Sequence, residues 1–338
     1  MKKVLITGAN GFVGSFMVEE AIRRGYDVYA AMRAESSKAN LAGLSPKFID
    51  LPYADKNRMK KCLAGLRSVV GQFDLIIHTM GLTKCKHKSD FDVVNFEYTR
   101  NFVQALMESG MTPKHFIYLS SLSAFGSGDR KTLKPIELTD EPKPDTAYGA
   151  SKLKTERFLA TLDAKVFPYT ILRPTGIYGP KEKDYFVMLK TLTRHLNPGI
   201  GFETQYITFI YVKDLVQAVF KSMEHDECVG KAYFLSDGDV YESVTFSDLI
   251  KKELGIKFLV RIKAPIWVLR IVTAVGDRWM KMTGKMSALN NDKFNILKQR
   301  NWMCDITPAK RDMDFKPEYN LERGVKEAIA WYKENGWL

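Results

Sequence analysis

Tyr148 and Lys152 stand four residues apart in Tyr148-Gly149-Ala150-Ser151-Lys152, a spacing that places a phenol and an ammonium on one face of a helix. A tyrosine ordinarily titrates near pH ~10, and a nearby cation favours its phenolate. Such a pair can give or take a hydroxyl proton while a hydride moves at the carbon beside it. Ser120-Ser121 closes the β-rich run that starts at His115, so Ser121 falls at the C-terminal end of a strand, where sites on parallel sheets open. There it can hold the substrate oxygen. A lone Tyr-x-x-x-Lys or a Ser-Ser pair recurs by chance, and only their order behind a phosphate loop makes them a signal.

That loop is Thr7-Gly8-Ala9-Asn10-Gly11-Phe12-Val13-Gly14. Gly8 permits the tight turn, Gly11 lets a pyrophosphate approach the backbone, and Gly14 allows close helix–strand packing. The helix that follows offers free N–H groups and a partial positive charge. An acidic residue about 20 residues on would hold the ribose hydroxyls of NAD. The chain has Ala30-Ala31-Met32-Arg33 there instead. Arg33 can pair with the 2′-phosphate of NADP and stack on adenine; a solvated loop arginine is the alternative. NADP is therefore the preferred cofactor and NAD the other. Lys38 adds charge. Asp50 and Leu51 follow the third strand and can hold the adenine edge, unless Asp50 only caps a helix.

The elements that must position these groups are legible as alternating runs. Strands are predicted at Val4–Thr7, Asp27–Met32, Phe48-Ile49, Leu75–His78, His115–Ser120 and Tyr169–Leu172. Val13, Met17, Val18, Ala21 and Ile22 share one face of a first helix ended by Gly25. Further helices are predicted at Asn57–Leu66, Phe91–Ser109 and Tyr148–Leu162. Strands alternating with helices imply a parallel, doubly wound α/β sheet, a Rossmann arrangement. Residues 1–175 then form a dinucleotide-binding domain. Residues 176–338 form mainly a smaller substrate lobe, with helices at Tyr185–Leu196, Val212–Met223, Phe246–Leu254 and Leu321–Asn335. Tyr206–Tyr211 and Ala232–Leu235 are strands that can return to the main sheet. The charged, proline-bearing segment Asp129–Thr146 reads as a surface loop beside the site.

Composition sets the outer limits. The chain has 338 residues, 45% hydrophobic and 27% charged, ordinary for a globular protein of about two domains. Its 51 basic and 39 acidic residues give a formal net charge of +12, which favours anionic ligands without choosing among nucleotides, nucleic acid and acidic membranes. The cations are dispersed and no nucleic-acid motif occurs. No run of about 18 apolar residues is present for a spanning helix. Val4-Leu5-Ile6 is too short for the apolar region of a signal peptide, about 7–15 residues. Cys62, Cys85, Cys228 and Cys304 are scattered, so a reducing cytoplasm is the expectation. Cys85-Lys86-His87 lies among Lys84, Lys86 and Lys88 without a second ligand pair, so no metal is expected. His78 reads as a packing residue. Ile262–Val275, the most apolar stretch, either covers the substrate cleft, forms a subunit contact or lies on a membrane; a homodimer is open.

Taken together, the chain resembles the extended short-chain dehydrogenase/reductase superfamily, which includes the NAD-dependent epimerases and dehydratases. The resemblance rests on Thr7–Gly14, Asp74–Gly81, Asn95 with Thr99, Ser120–Gly126, Tyr148–Lys152, Leu172–Gly179 and Ile210–Asp214. It implies Ser121, Tyr148 and Lys152 as the catalytic triad. It implies Gly8, Asn10, Gly11, Phe12, Val13 and Gly14 at the pyrophosphate, Thr79, Met80 and Gly81 along the cofactor, and Pro174 and Thr175 near the nicotinamide. Thr83, Ser123, Tyr178 and Ile207 are implied as substrate-facing. Leu122-Ser123 after Ser121 lacks the Asp-Glu pair of the 4,6-dehydratases. Ile207 stands where many nucleotide-sugar epimerases carry an arginine for the substrate pyrophosphate. These departures, with Met32-Arg33, resemble more the hydroxysteroid dehydrogenase and dihydroflavonol reductase branches, as do Pro265, Trp267, Gly284-Lys285, Trp302 and Asp305. The expected activity is hydride transfer between nicotinamide and a hydroxyl or carbonyl substrate. A nucleotide-sugar epimerase with tightly held cofactor and a non-catalytic NADP-binding regulator are the alternatives.

Overall fold

A computed structural model describes residues 1–283 and 291–338; Gly284-Lys285 lies outside the described residues. The chain opens with β1 (Lys3–Thr7), α1 (Phe12–Arg23), β2 (Asp27–Ala31), β3 (Lys47–Ile49), α2 (Lys56–Val70) and β4 (Leu75–His78). α3 (Ser89–Phe91) then runs through a π turn, Asp92–Glu97, into α4 (Tyr98–Glu108), followed by β5 (His115–Leu119), α5 (Ala147–Ala160) and β6 (Tyr169–Pro174). The second half holds β7 (Gly176–Tyr178), α6 (Asp184–Thr193), β8 (Leu196–Ile200), β9 (Tyr206–Ile207), β10 (Phe209–Tyr211), α7 (Val212–Ser222) and β11 (Ala232–Leu235). It ends with β12 (Tyr241–Glu242), α8 (Thr245–Glu253), β13 (Val260–Ala264), α9 (Ile266–Thr283), α10 (Asn291–Leu297), β14 (Asn301–Trp302), α11 (Thr307–Met313) and α12 (Leu321–Glu334).

Seven strands form one parallel sheet in the order β11-β6-β5-β4-β1-β2-β3. Successive side chains of a strand face opposite ways, and both faces are covered. Val4, Ile6, Leu75 and Ile77 join the core that contains α1, while Leu5, Ile76 and Phe116 join the core beneath α2 and α4. This two-sided burial explains why the strands read as continuous apolar runs. The strand order reverses between β1 and β4, which opens the crevice where such sheets bind ligands.

Ala232–Leu235 joins the sheet beside β6. Tyr206–Tyr211 does not. Thr208 interrupts it, its Oγ1 donating to Trp302 O at 2.8 Å, and the sheet edge beside β6 is occupied by β11. β9 lies between β12 and β14 in a small sheet, and β10 pairs in parallel with β7. α7 packs Leu215, Val219 and Phe220 into the core of α1. The chain therefore leaves the sheet at Gly176, returns for α7 and β11, and leaves again. A separate aromatic core of Tyr178, Phe209, Tyr211, Phe246 and Tyr332 joins α6, α8 and α12 into the lobe.

Candidate active site

β1 delivers the chain into the phosphate loop at Gly8, whose φ of +65° is open to glycine. A β-carbon on Gly8 would lie 2.9 Å from the Met80 backbone, and one on Gly14 would lie 2.2 Å from Gly8 O, so both positions must lack a side chain. Gly11 N-caps α1 with no side-chain cap, and the first turn carries no acid. Its N–H groups are thus left for an anion. Thr79 Oγ1 donates to Thr7 O at 2.6 Å and Met80 N to Thr7 Oγ1 at 3.3 Å, which ties Thr79–Gly81 to the same strand end. A β-carbon on Gly81 would lie 3.0 Å from Asn95 Oδ1 and 3.5 Å from Lys152 Nζ, so glycine keeps this approach to Asn95 open beside the ammonium. Thr175, just past β6, has a buried hydroxyl with no hydrogen-bond partner among the described residues. An uncapped helix start, an orphaned hydroxyl and space beside a cation fit a nicotinamide dinucleotide laid across the strand ends.

The catalytic candidates converge at the end of β5. Ser121 caps the short 3-10 turn Leu122–Ala124, its Oγ accepting from Ser123 N at 3.2 Å. Thr146 caps α5 by accepting from Gly149 N at 2.9 Å. Gly149 lies so close to this turn that a β-carbon there would stand 2.1 Å from Ser123 O. This contact sets Tyr148 beside Ser121. Burial pushes the Tyr148 phenol up to about 12, and its hydrogen bond with Ser121 opposes that. The phenol is therefore held protonated. One helical turn on, the buried Lys152 ammonium donates to Leu119 O at 2.8 Å and sits 4.9 Å from the Tyr118 ring centroid. Burial brings it down to about 8, with Glu156 acting in the other direction.

Other groups hold this face in place. Glu156 continues the Tyr148–Lys152 stripe, accepts from Ser120 Oγ, and pairs with Arg173 at 2.8 Å; both members of the pair are buried. Arg173 in turn lies over Phe125, 4.6 Å from its centroid. Asn95, in the π turn, accepts from Leu82 N at 2.7 Å and donates to Ser151 Oγ at 2.9 Å, so it joins the segment after β4 to α5. The i+4 spacing of Glu156 made it legible from Lys152. Asn95 stands out in the sequence because it carries the resemblance with Thr99 and because asparagine is disfavoured inside a helix. Neither is among the site residues expected from the sequence.

The remaining candidates separate. Gly8, Asn10, Gly11, Phe12, Val13, Gly14, Thr79, Met80 and Gly81 gather at the ends of β1 and β4, with Pro174 and Thr175 at the end of β6. Arg33 is exposed beside Glu35, at 3.6 Å. Asp50 is exposed and Leu51 buried; α2 is capped by Asp55, which accepts from Arg58 N at 3.0 Å, so Asp50 caps nothing there. Thr83 is exposed and Ser123 half-buried next to Ser121. Tyr178 is corrected: its ring is buried in the lobe core and its hydroxyl donates to Asn320 O at 3.3 Å, because its aromatic neighbours bury more of it than a cleft would. Ile207 lies in β9, packed at the edge of that core. His78 is a packing residue. It lies between Thr7 Oγ1 and Thr99 Oγ1, 2.9 Å from each, and burial holds it neutral, at about 3.

Comparison with known proteins agrees with this architecture. The sequence profile of the NAD dependent epimerase/dehydratase family matches residues 4–235. The chain is 25% identical over 351 residues to UDP-glucose 4-epimerase of Vibrio cholerae, covering 99% of this chain and 97% of that protein. It is 24% identical over 351 residues to 3-beta-hydroxysteroid dehydrogenase of Mycolicibacterium neoaurum, covering 98% and 92%. The solved UDP-glucose 4-epimerase of Thermotoga maritima, with UDP-glucose, superposes with a TM-score of 0.76 at 20% identity over 98% of this chain and 99% of that one, a likeness of fold. With a glycine-lined phosphate loop, a Ser-Tyr-Lys face and a family match over most of its length, the chain belongs to the NAD dependent epimerase/dehydratase family and is an enzyme of the extended short-chain dehydrogenase/reductase type.

Proposed function

We propose that this NAD(P)-dependent enzyme is an oxidoreductase that prefers NADP(H) and acts on a hydroxyl or ketone compound with a substantial apolar body. The observation that carries the chemistry is the junction at the end of β5, where a protonated Tyr148, the Lys152 ammonium and Ser121 are fastened to one strand end. When bound, the nicotinamide supplies or accepts the hydride. In reduction, Tyr148 gives its phenolic proton to the substrate oxygen, and Lys152 stabilises the phenolate left behind. Ser121 donates to the same oxygen and fixes its position. Gly8, Asn10, Gly11, Phe12, Val13 and Gly14 hold the pyrophosphate. Lys152 and Gly81 take the nicotinamide ribose, and Thr79, Met80, Pro174 and Thr175 line the rest. In this proposal the lobe after residue 176 supplies the substrate walls, with Thr83 and Ser123 at the mouth.

The cofactor preference is supported by the loop after β2. It carries no carboxylate where NAD would need one, and it presents an exposed Arg33. Asn10 Nδ2 donates to Ser37 O at 3.3 Å and Asn40 Nδ2 to Asn10 O at 2.9 Å, which holds the segment with Ser36, Ser37 and Lys38 against the phosphate loop. The substrate class is supported by Ile207 and the apolar strand that follows it. A buried diphosphate needs paired cations, and β9 and β10 provide none. Thermal unfolding with NADPH present tests this, comparing UDP, TDP and GDP with a panel of ring ketones. A ligand at about 100 times its dissociation constant stabilises by about 2.7 kcal/mol. Ketones are expected to raise the midpoint. A rise with a nucleoside diphosphate alone would instead assign the lobe to nucleotide-sugar epimerisation.

A further inference from the structure

We propose that α9 and β13 form a docking face for an anionic phospholipid surface, a property independent of which substrate the active site takes. α9 is apolar on two sides. Leu269 and Thr273 are buried and α9 packs on α10, whereas Trp267, Ile271, Val275 and Met282 are exposed, Trp267 by 65% and Val275 by 62%. At about 100° per residue, these four side chains fall within a quarter turn of each other, across the helix from Leu269 and Thr273. β13 repeats the pattern. Val260 and Ile262 are exposed on one side of the strand, and Arg261 and Lys263 alternate with them. Arg261 is tied to Asp248 of α8, so the apolar pair faces away from that helix. Phe258, 59% exposed, precedes this pair in the chain and stacks on His195.

Charge decides the occupant. Between Gly255 and Thr283 the chain has six cations, Lys257, Arg261, Lys263, Arg270, Arg278 and Lys281, against the single acid Asp277. Lys257, Lys263, Arg270 and Arg278 are exposed and pair with no carboxylate among the described residues. At about 100° per residue Arg278 falls within the exposed stripe of α9 and Arg270 at its flank, and apolar side chains set among cations match acyl chains beneath anionic headgroups. A second copy meeting this face by two-fold symmetry would bring the same cations against themselves. No helix of the described residues is long and apolar enough to cross a membrane, and α9, interrupted by Arg270, Asp277, Arg278 and Lys281, lies on the surface instead.

Co-sedimentation of the full chain with extruded vesicles tests the assignment, using phosphatidylcholine alone and phosphatidylcholine with phosphatidylglycerol at roughly 3:1. Sedimentation is expected with the anionic vesicles. It should be at least about tenfold weaker with phosphatidylcholine alone, and should weaken as salt screens the headgroups. Ile271→Glu with Val275→Glu should abolish it and leave the melting temperature and NADPH binding unchanged, because both side chains are exposed. Lys263→Glu with Arg270→Glu should lower partitioning about tenfold or more, which keeps the test open if the first variant misfolds. No sedimentation with anionic vesicles, or undiminished sedimentation of both variants, would overturn the proposal. So would a wild-type dimer that Ile271→Glu with Val275→Glu converts to monomer while vesicles bind neither form, since a second copy would then own the face.

Discussion

The ammonium of Lys152 donates to the carbonyl oxygen of Leu119 at 2.8 Å, so the cation hangs from the strand end that carries Ser121 two residues later. Lys152 and Tyr148 both come from α5, so this bond pins the face of α5 that bears them to the strand end that carries Ser121. Tyr148→Phe keeps the ring, including its edge-on contact with Phe91 at 5.8 Å between centroids, and removes only the proton. Turnover is expected to fall by about 10²–10⁴, with NADPH affinity, followed by fluorescence titration, within about twofold of the parent. Retained turnover would move the proton donor elsewhere.

Lys152 also limits stability at neutral pH. Its folded pKa of about 8 lies below the ordinary 10.5, so between these values the unfolded chain binds a proton that the native one does not, and stability rises with pH there. Below about pH 8 the native state bears the whole cost of a buried ammonium, roughly 3 kcal/mol. Lys152→Met leaves Leu119 O without its donor, which returns about 1–2 kcal/mol of that. The variant should melt higher than the parent at pH 7 and at the same temperature or lower at pH 10.5, with turnover lost at both. Calorimetry at the two pH values measures this, and a lower midpoint at pH 7 would mean the ammonium is better compensated than its surroundings suggest.

Gly149 is the hinge of the assembly. Gly149→Ala must displace either the start of α5 or the turn at Ser123, since the new carbon would stand 2.1 Å from Ser123 O. A destabilisation of about 1–3 kcal/mol is expected, with turnover down by about 100-fold as Ser121 and Tyr148 separate. The neighbouring Ala150, which is exposed, supplies the control. Ala150→Gly should cost about 1 kcal/mol through helix propensity and leave turnover near that of the parent.

Arg33 is exposed, so Arg33→Ser should leave the fold intact. NADPH affinity is expected to drop about tenfold, as one charge-assisted contact to the 2′-phosphate is lost, while NADH affinity stays within about twofold. Isothermal titration with each cofactor checks the split. Equal losses for both would place Arg33 on the adenine rather than the phosphate.

Two buried histidines predict acid sensitivity. Burial lowers His78 from 6.5 to about 3, and lowers His115, 2.8 Å from Thr170 Oγ1, to about 4. Between 6.5 and those values the unfolded chain takes up protons that the native chain refuses, so stability falls as pH drops through that window. The melting temperature should therefore decline from pH 7 to pH 4. In His115→Gln the decline in stability should be shallower by close to one proton's worth of slope, and an unchanged slope would show that His115 is protonated in the native state.

What the sequence determined by itself was the chemistry and the framework that carries it. Glycine at positions 8, 11 and 14 follows from backbone geometry, the Tyr148–Lys152 spacing from helical periodicity, and the strands of the main sheet from apolar runs buried on both faces. These are local relations, and local relations are written in neighbouring residues. The tertiary structure decided what depends on meetings between distant segments. Tyr206–Tyr211 read as a strand for the main sheet, but β11 had taken that edge and Thr208 bonded to Trp302, 94 residues away. Tyr178 read as a substrate contact because it stands in a family motif, yet its neighbours Tyr211 and Phe246 come from other elements and enclose its ring. Asn95 became a tie between two segments only when the chain brought Ser151 to it. The outward side of α9 could not be distinguished from an inward one by hydrophobicity, since both sides are apolar. Only the burial of Leu269 and Thr273 settles that Trp267, Ile271 and Val275 turn to the solvent.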